Sequence, residues 1–161
     1  MNLELNRSGA VGVKLVLISD NPRILPYNNT MNYSLEHIAI PSTDPVALRK
    51  WYERVLGARL IWDNGQTPPV CLVALPGDVW LEIYGTDLPL PDRANNKLAG
   101  FRHLALRVDS IDTARADLAR RGVKFDSEIR QAAGGGRALF FNDGEGNLLH
   151  LIERPANWQP G

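Results

Sequence analysis

The chain repeats itself, and the repeat sets what it can fold into. L-E-H-I-A-I at 35–40 returns as F-R-H-L-A-L at 101–106, and V-W-L-E-I-Y at 79–84 returns as N-L-L-H-L-I at 147–152. His37 and His103 stand 66 residues apart, and Glu82 and His150 stand 68 apart. Between them R-V-L-G-A (54–58) matches A-R-R-G-V (119–123) at an offset of 65. Self-similarity at a nearly fixed spacing is the mark of a duplicated structural unit. All 3 histidines of the chain fall at equivalent points of the two copies, and Glu82 holds the fourth point. Imidazole and carboxylate are the side chains that bind divalent metals.

Each copy reads as strand, helix and three strands. In the first, a strand over 35–41 ends at Pro41, and Asp44 caps a helix whose first residue is Pro45, where a missing N–H costs nothing. Two apolar stripes fit that helix, Val46, Trp51 and Val55, or Leu48, Trp51, Tyr52 and Val55, and Gly57 stops it. Strands follow at about 58–63, 70–75 and 79–84, separated by turn-rich segments. The second copy gives a strand over 102–108 and a helix over about 111–121, capped by Asp109 or Ser110, with Ile111, Ala114 and Leu118 facing inward. Strands over 123–128, 137–142 and 147–153 complete it, with G-G-G (134–136) and N-D-G-E-G (142–146) as turns. The units therefore run over 34–84 and 101–154, joined by a polar linker at 85–100 and followed by a breaker-rich tail at 155–161.

Side chains on a strand alternate faces, which tests the candidate ligands. His37 shares a face with Ala39, His103 with Ala105 and Arg107, Glu82 with Trp80 and Tyr84, and His150 with Leu148 and Ile152. If the four strands wrap around one cavity, four ligand-type side chains point to a common centre. Trp62, Trp80 and Tyr84 read either as walls of a ligand pocket or as core packing, and Arg107 either meets a substrate carboxylate or phosphate or forms a surface ion pair. The G-G-G run lacks the strand and helix context of a phosphate loop and reads as a flexible loop or a lid over the cavity mouth.

Bulk properties exclude several classes. The formal net charge is zero, so no electrostatic footprint for nucleic acid or an anionic membrane is present. The apolar stretch at 11–19 is interrupted by Lys14 and is too short to span a bilayer, and Glu4 and Ser19-Asp20-Asn21-Pro22 argue against a secretory signal. The single cysteine, Cys71, has no internal partner, which fits a reducing cytoplasm. Residues 1–33 lie outside the repeat and read as an extension, either an extra strand or flexible.

The segments E-H-I-A-I-P-S-T-D-P, W-Y-E-R-V-L-G-A, V-W-L-E-I-Y, F-R-H-L-A-L-R-V-D and F-F-N-D-G-E-G-N-L-L-H-L-I-E resemble the vicinal oxygen chelate superfamily. That superfamily holds glyoxalase I, extradiol dioxygenases, methylmalonyl-CoA epimerase, fosfomycin resistance enzymes and bleomycin-binding proteins. The resemblance covers about residues 35–154 and implies an α+β fold, two βαβββ units forming a cupped mixed sheet around a central cavity. It implies a divalent metal (zinc, nickel, cobalt, manganese or ferrous iron) held by His37, Glu82, His103 and His150. Much of the superfamily carries glutamate at the last position, where this chain has His150, and Glu153 is out of phase on the opposite face. A three-histidine, one-glutamate set leaves a divalent site with net charge +1, which favours an anionic or enolate-forming ligand.

The resemblance carries two functional expectations. One is a metal-dependent lyase, isomerase or dioxygenase acting on a small molecule through two neighbouring oxygens, with Glu82 as the base. The other is a metal-free binding protein that sequesters a hydrophobic antibiotic or similar compound. Members are commonly homodimers, and the four ligands would then come from one chain or be shared between two.

Overall fold

The structure is a computed structural model, and it describes residues 34–89 and 91–159. The extension at 1–33, expected to be a strand or flexible, lies outside the described residues. No helix among the described residues is long and apolar enough to cross a membrane.

Two βαβββ units follow one another. The first comprises β1 (His37–Ser42), α1 (Pro45–Leu56), β2 (Arg59–Asp63), β3 (Cys71–Ala74) and β4 (Trp80–Gly85). The second comprises β5 (His103–Arg107), α2 (Ile111–Arg120), β6 (Arg130–Gln131), β7 (Arg137–Asn142) and β8 (Leu148–Glu153). Each unit makes one four-stranded mixed sheet, in the order β1-β4-β3-β2 and β5-β8-β7-β6. The outer pair is parallel in both sheets, β1 on β4 and β5 on β8, and the remaining pairs are antiparallel. Even the register is duplicated: Ala39 lies opposite Glu82, and Ala105 lies opposite His150.

Local chemistry sets the helices. The Asp44 carboxylate accepts from the Ala47 amide at 2.9 Å, and Gly57 takes φ +69° at the end of α1 while the Ala58 amide donates to the Tyr52 carbonyl. Leu48, Tyr52 and Val55, spaced i, i+4 and i+7, are buried, so the second of the two expected stripes faces the core. Burying each contributes roughly 1.5–3 kcal/mol. In α2 the cap is Ser110, and Ile111 and Leu118 are its buried residues. Helix and sheet faces merge in one apolar cluster that joins Leu48, Tyr52 and Leu81 to Ile111, Leu139 and Leu149.

One strand departs from expectation. Alternation placed a strand at 123–128, whereas β6 is only Arg130–Gln131. Val123 and Phe125 still pack into the core, but Ser127 bridges to the Phe140 carbonyl with its side chain (2.9 Å) in place of a backbone ladder.

The units are fastened through their helices and the 142–146 turn. The Tyr52 hydroxyl donates to the buried Asp143 carboxylate at 3.1 Å, and the Arg54 guanidinium donates to the Arg121 carbonyl at 2.6 Å. The Glu145 carboxylate accepts from the Thr43 and Asp44 amides at 2.6 and 3.2 Å and from Arg93 at 3.1 Å. These contacts involve the helix side of each sheet. The opposite faces remain open, as the alternating exposure along β1 and β5 shows.

Candidate functional site

Cross-strand neighbours project from the same side of a sheet, so the register places every candidate. On the open face of the first sheet, one row runs Ala39, Glu82, Leu72, Trp62 and the next runs His37, Trp80, Ala74, Arg59. A register shift between Leu60 and Trp62 brings Trp62 onto this face. Tyr84 is two residues beyond Glu82 on the same side. On the second sheet the rows are His103, Leu148, Asn142, then Ala105, His150, Phe140, then Arg107, Ile152, Ala138, Arg130. All eight candidate residues therefore stand on the open faces, His37, Glu82, Trp62, Trp80 and Tyr84 on one sheet and His103, His150 and Arg107 on the other.

The donors gather as two pairs. His37 Nε2 stands 3.7 Å from the Glu82 carboxylate. The His103 and His150 rings lie 4.6 Å apart between centroids, with Phe140 edge-on to both. Among the described residues, no three His, Cys, Asp or Glu side chains come within reach of one ion. One chain thus presents two half-sets of donors.

Each half-set has the chemistry of metal ligands. His37 Nδ1 is held by the Glu36 carboxylate, and His103 Nδ1 by the Asn96 side-chain oxygen at 3.0 Å. Fixing Nδ1 as the protonated nitrogen leaves Nε2 with its lone pair free, the arrangement that orients metal-binding histidines. His150 Nδ1 is buried and has no hydrogen-bond partner among the described residues. An orphaned buried nitrogen is costly, and a bound cation is one way to satisfy it. Burial, with the charges of His103 and Arg154, pushes His150 down to about 4, so the ring is neutral at physiological pH. His37 moves the other way: the Glu36 hydrogen bond raises it, against a smaller opposing effect of desolvation.

Glu36 and Asn96 escaped the sequence reading. Glu36 was visible in the E-H pair, but its contact with the ring of the adjacent His37 depends on side-chain direction. Asn96 sits in the linker, where no periodicity points to a partner. Arg130 was missed with the position of β6.

A cavity of about 280 Å³ opens between the edge strands β1 and β5, lined among others by Ile38, Ile40, Phe101, Arg102, His103 and Leu149. Of the candidates only His103 borders it; Trp62, Trp80 and Tyr84 flank the open face of the first sheet instead. The G-G-G turn, expected as a lid, is tied to the tail. Arg154 donates to the Gly135 carbonyl at 2.7 Å and stacks on Trp158 at 4.7 Å.

Comparison with known proteins agrees with this architecture. The chain is 31% identical over 123 residues to the uncharacterized protein YaeR of Escherichia coli, covering 74% of this chain and 95% of that one. It is 29% identical over 131 residues to mitochondrial methylmalonyl-CoA epimerase of Bos taurus, covering 73% and 72%. A variant of the fosfomycin resistance protein FosX from Listeria monocytogenes, solved with Mn(II) and 1S,2S-dihydroxypropylphosphonic acid, superposes with a TM-score of 0.59 at 19% identity, covering 80% and 95%. Residues 34–151 match the model of one family, and the chain belongs to it: the glyoxalase/bleomycin resistance protein/dioxygenase superfamily.

Proposed function

We propose that the chain is a divalent-metal-dependent lyase, isomerase or dioxygenase acting on a small molecule that presents two neighbouring oxygens. The observation that carries this reading is the pair of equivalent donor sets, with Nδ1 of His37 and of His103 held by a neighbour and His150 Nδ1 orphaned. His37, Glu82, His103 and His150 would hold zinc, nickel, cobalt, manganese or ferrous iron. The Mn(II) of FosX and the epimerase relative support this class. When bound, the metal supplies Lewis-acid stabilisation of negative charge on the substrate oxygens.

The chain's own groups do the rest. Glu82, the one carboxylate among the four, takes the proton from the carbon beside the carbonyl. Glu36 and Asn96 keep the imidazoles aimed. Trp62, Trp80 and Tyr84 wall the first sheet's face and keep water from the apolar part of the substrate. A homodimer in which the first unit of one copy faces the second unit of another would complete both donor sets. The lone buried thiol of Cys71 supports a cytoplasmic location.

Metal analysis and calorimetric titration of protein purified without chelator test the reading. Uptake of one of these metals is expected, with most of it lost in His103→Ala while the far-UV circular dichroism stays unchanged. Wild-type protein that binds none of the five overturns it. The cavity between β1 and β5 favours a second reading, metal-free sequestration of an apolar compound, and the same analysis decides between the two.

A further inference from the structure

Several arginines are engaged by carboxylates, while Arg59, Arg102 and Arg115 form no ion pair among the described residues. Arg49 pairs with Glu53 at 2.8 Å, Arg93 with Glu145 at 3.1 Å, and Arg120 and Arg121 with Asp117 at 2.8 and 2.9 Å. Arg137 pairs with Glu153 at 2.7 Å and Asp112 at 2.9 Å. Arg107 and Arg130, on the open face of the second sheet, are exposed and form no ion pair or hydrogen bond among the described residues. They stand at the two ends of one cross-sheet row, Arg107–Ile152–Ala138–Arg130.

That face carries no acid. Its positions on β5, β8, β7 and β6 are His103, Ala105 and Arg107; Leu148, His150 and Ile152; Ala138, Phe140 and Asn142; and Arg130. The chain is neutral overall, so two unpaired guanidinium groups on an acid-free face are a local arrangement and not a reflection of composition. Ile152 and Ala138, buried between them, give the row an apolar floor where a charged contact is stronger than in open water. The equivalent row of the first sheet begins Pro41–Tyr84 and is neutral there. The open face of the first sheet also carries an arginine, Arg59, but Glu82 stands on the adjoining row; only the second sheet's open face has arginines on its strands and no acid.

We propose that Arg107 and Arg130 form an oxyanion-binding subsite for the carboxylate, phosphate or phosphonate of the substrate. Guanidinium groups match such oxyanions by paired, charge-assisted hydrogen bonds. The row lies two residues along the strands from the His150 row, roughly 7 Å, and its ends are three strand spacings apart, roughly 14 Å in a flat sheet and less in a curved one. A small substrate therefore lies with its anionic end over this row and its reacting oxygens over the histidines. That orientation rests on the metal reading above; the oxyanion subsite itself does not.

The test is calorimetric titration of the full-length, chelator-treated protein with inorganic phosphate and, separately, with acetate at low ionic strength. Saturable binding is expected from at least one of them. Arg107→Gln and Arg130→Gln should each weaken it by about tenfold or more, as the loss of a charge-assisted hydrogen bond implies. Arg130→Lys should retain part of the affinity, and Arg120→Gln on α2 should change nothing. Tighter binding of phosphate than of acetate identifies a phosphoryl-type group, and the reverse identifies a carboxylate. No saturable binding of either anion, or binding that survives the double Arg107→Gln, Arg130→Gln substitution, overturns the proposal. Metal uptake is measured on the same double variant and on His103→Ala. Anion binding with no metal uptake in wild-type protein sinks the enzyme reading and leaves the subsite standing.

Discussion

At the scale of single residues, His37 and His150 differ in what their rings hold on to. Glu36 raises His37, so between pH 6.5 and that raised value a proton still competes with any metal for the ring. His150, held at about 4, sheds its proton long before neutrality and does not compete there. Metal uptake near pH 7 should therefore release protons from the His37 side. Glu36→Gln removes the group that raises His37, so the pH midpoint of metal binding should move down. Affinity well above that midpoint should drop about tenfold, because the ring loses its anchor. Calorimetry in buffers of different ionisation enthalpy, repeated between pH 5.5 and 8, checks both outcomes. A midpoint unchanged by Glu36→Gln contradicts the assignment. The open-face placement of His37, Glu82, His103 and His150 was legible in the sequence because strand phase is a strict rule. Glu36 and Asn96 act through side-chain direction, which spacing does not encode.

At the scale of elements, the 142–146 turn holds more than its own hairpin. Its Glu145 carboxylate is partly desolvated, which alone would raise it, but the Thr43 hydroxyl and the Thr43 and Asp44 amides outweigh that and hold it below the ordinary range. A carboxyl lowered in the folded state contributes stability that is present above its unfolded value of about 4.5 and lost as pH falls through the folded one. Glu145→Gln should cost about 2 kcal/mol at pH 7, the scale of a lost charged hydrogen bond. Its urea midpoint should fall less steeply than that of the wild type between pH 6 and pH 3. A second prediction concerns the glycine turn. Gly136 takes φ +92°, and a Cβ there would collide with the Glu153 carbonyl on the neighbouring strand. Gly136→Ala should cost more than about 2 kcal/mol in denaturant melts, combining a strained dihedral with a backbone clash. The turns were legible as glycine clusters. What they touch was not, nor was the displacement of β6 to Arg130–Gln131, where Val123 and Phe125 spend their alternation on the core without forming a ladder.

At the scale of the whole molecule, the duplication extends to register, and that much follows from the offsets of 65 to 68 in the sequence. The offsets say nothing about which unit faces which, because pairing within a chain and between chains buries the same apolar residues. The donor pairs supply a test. Protein carrying His37→Ala and Glu82→Ala, mixed after mild unfolding with protein carrying His103→Ala and His150→Ala, should regain metal binding if sites are shared. Half of the dimers are then mixed and each holds one intact site of two, so roughly a quarter of wild-type capacity should return. A mixture that stays empty while light scattering shows dimers would exclude the shared arrangement.

The cross-unit fastening from Tyr52 and Asp143, with the apolar cluster beneath it, occupies one side of each sheet, and the candidate chemistry occupies the other. Replacing an exposed open-face side chain, such as His37 or Arg107, therefore leaves the folding free energy nearly untouched. A lineage built this way can exchange a ligand or a charged anchor in single steps without first accumulating a reserve of stability. His150 where the first unit has Glu82, and an acid-free pair of arginines on one open face, are what such inexpensive drift would leave behind.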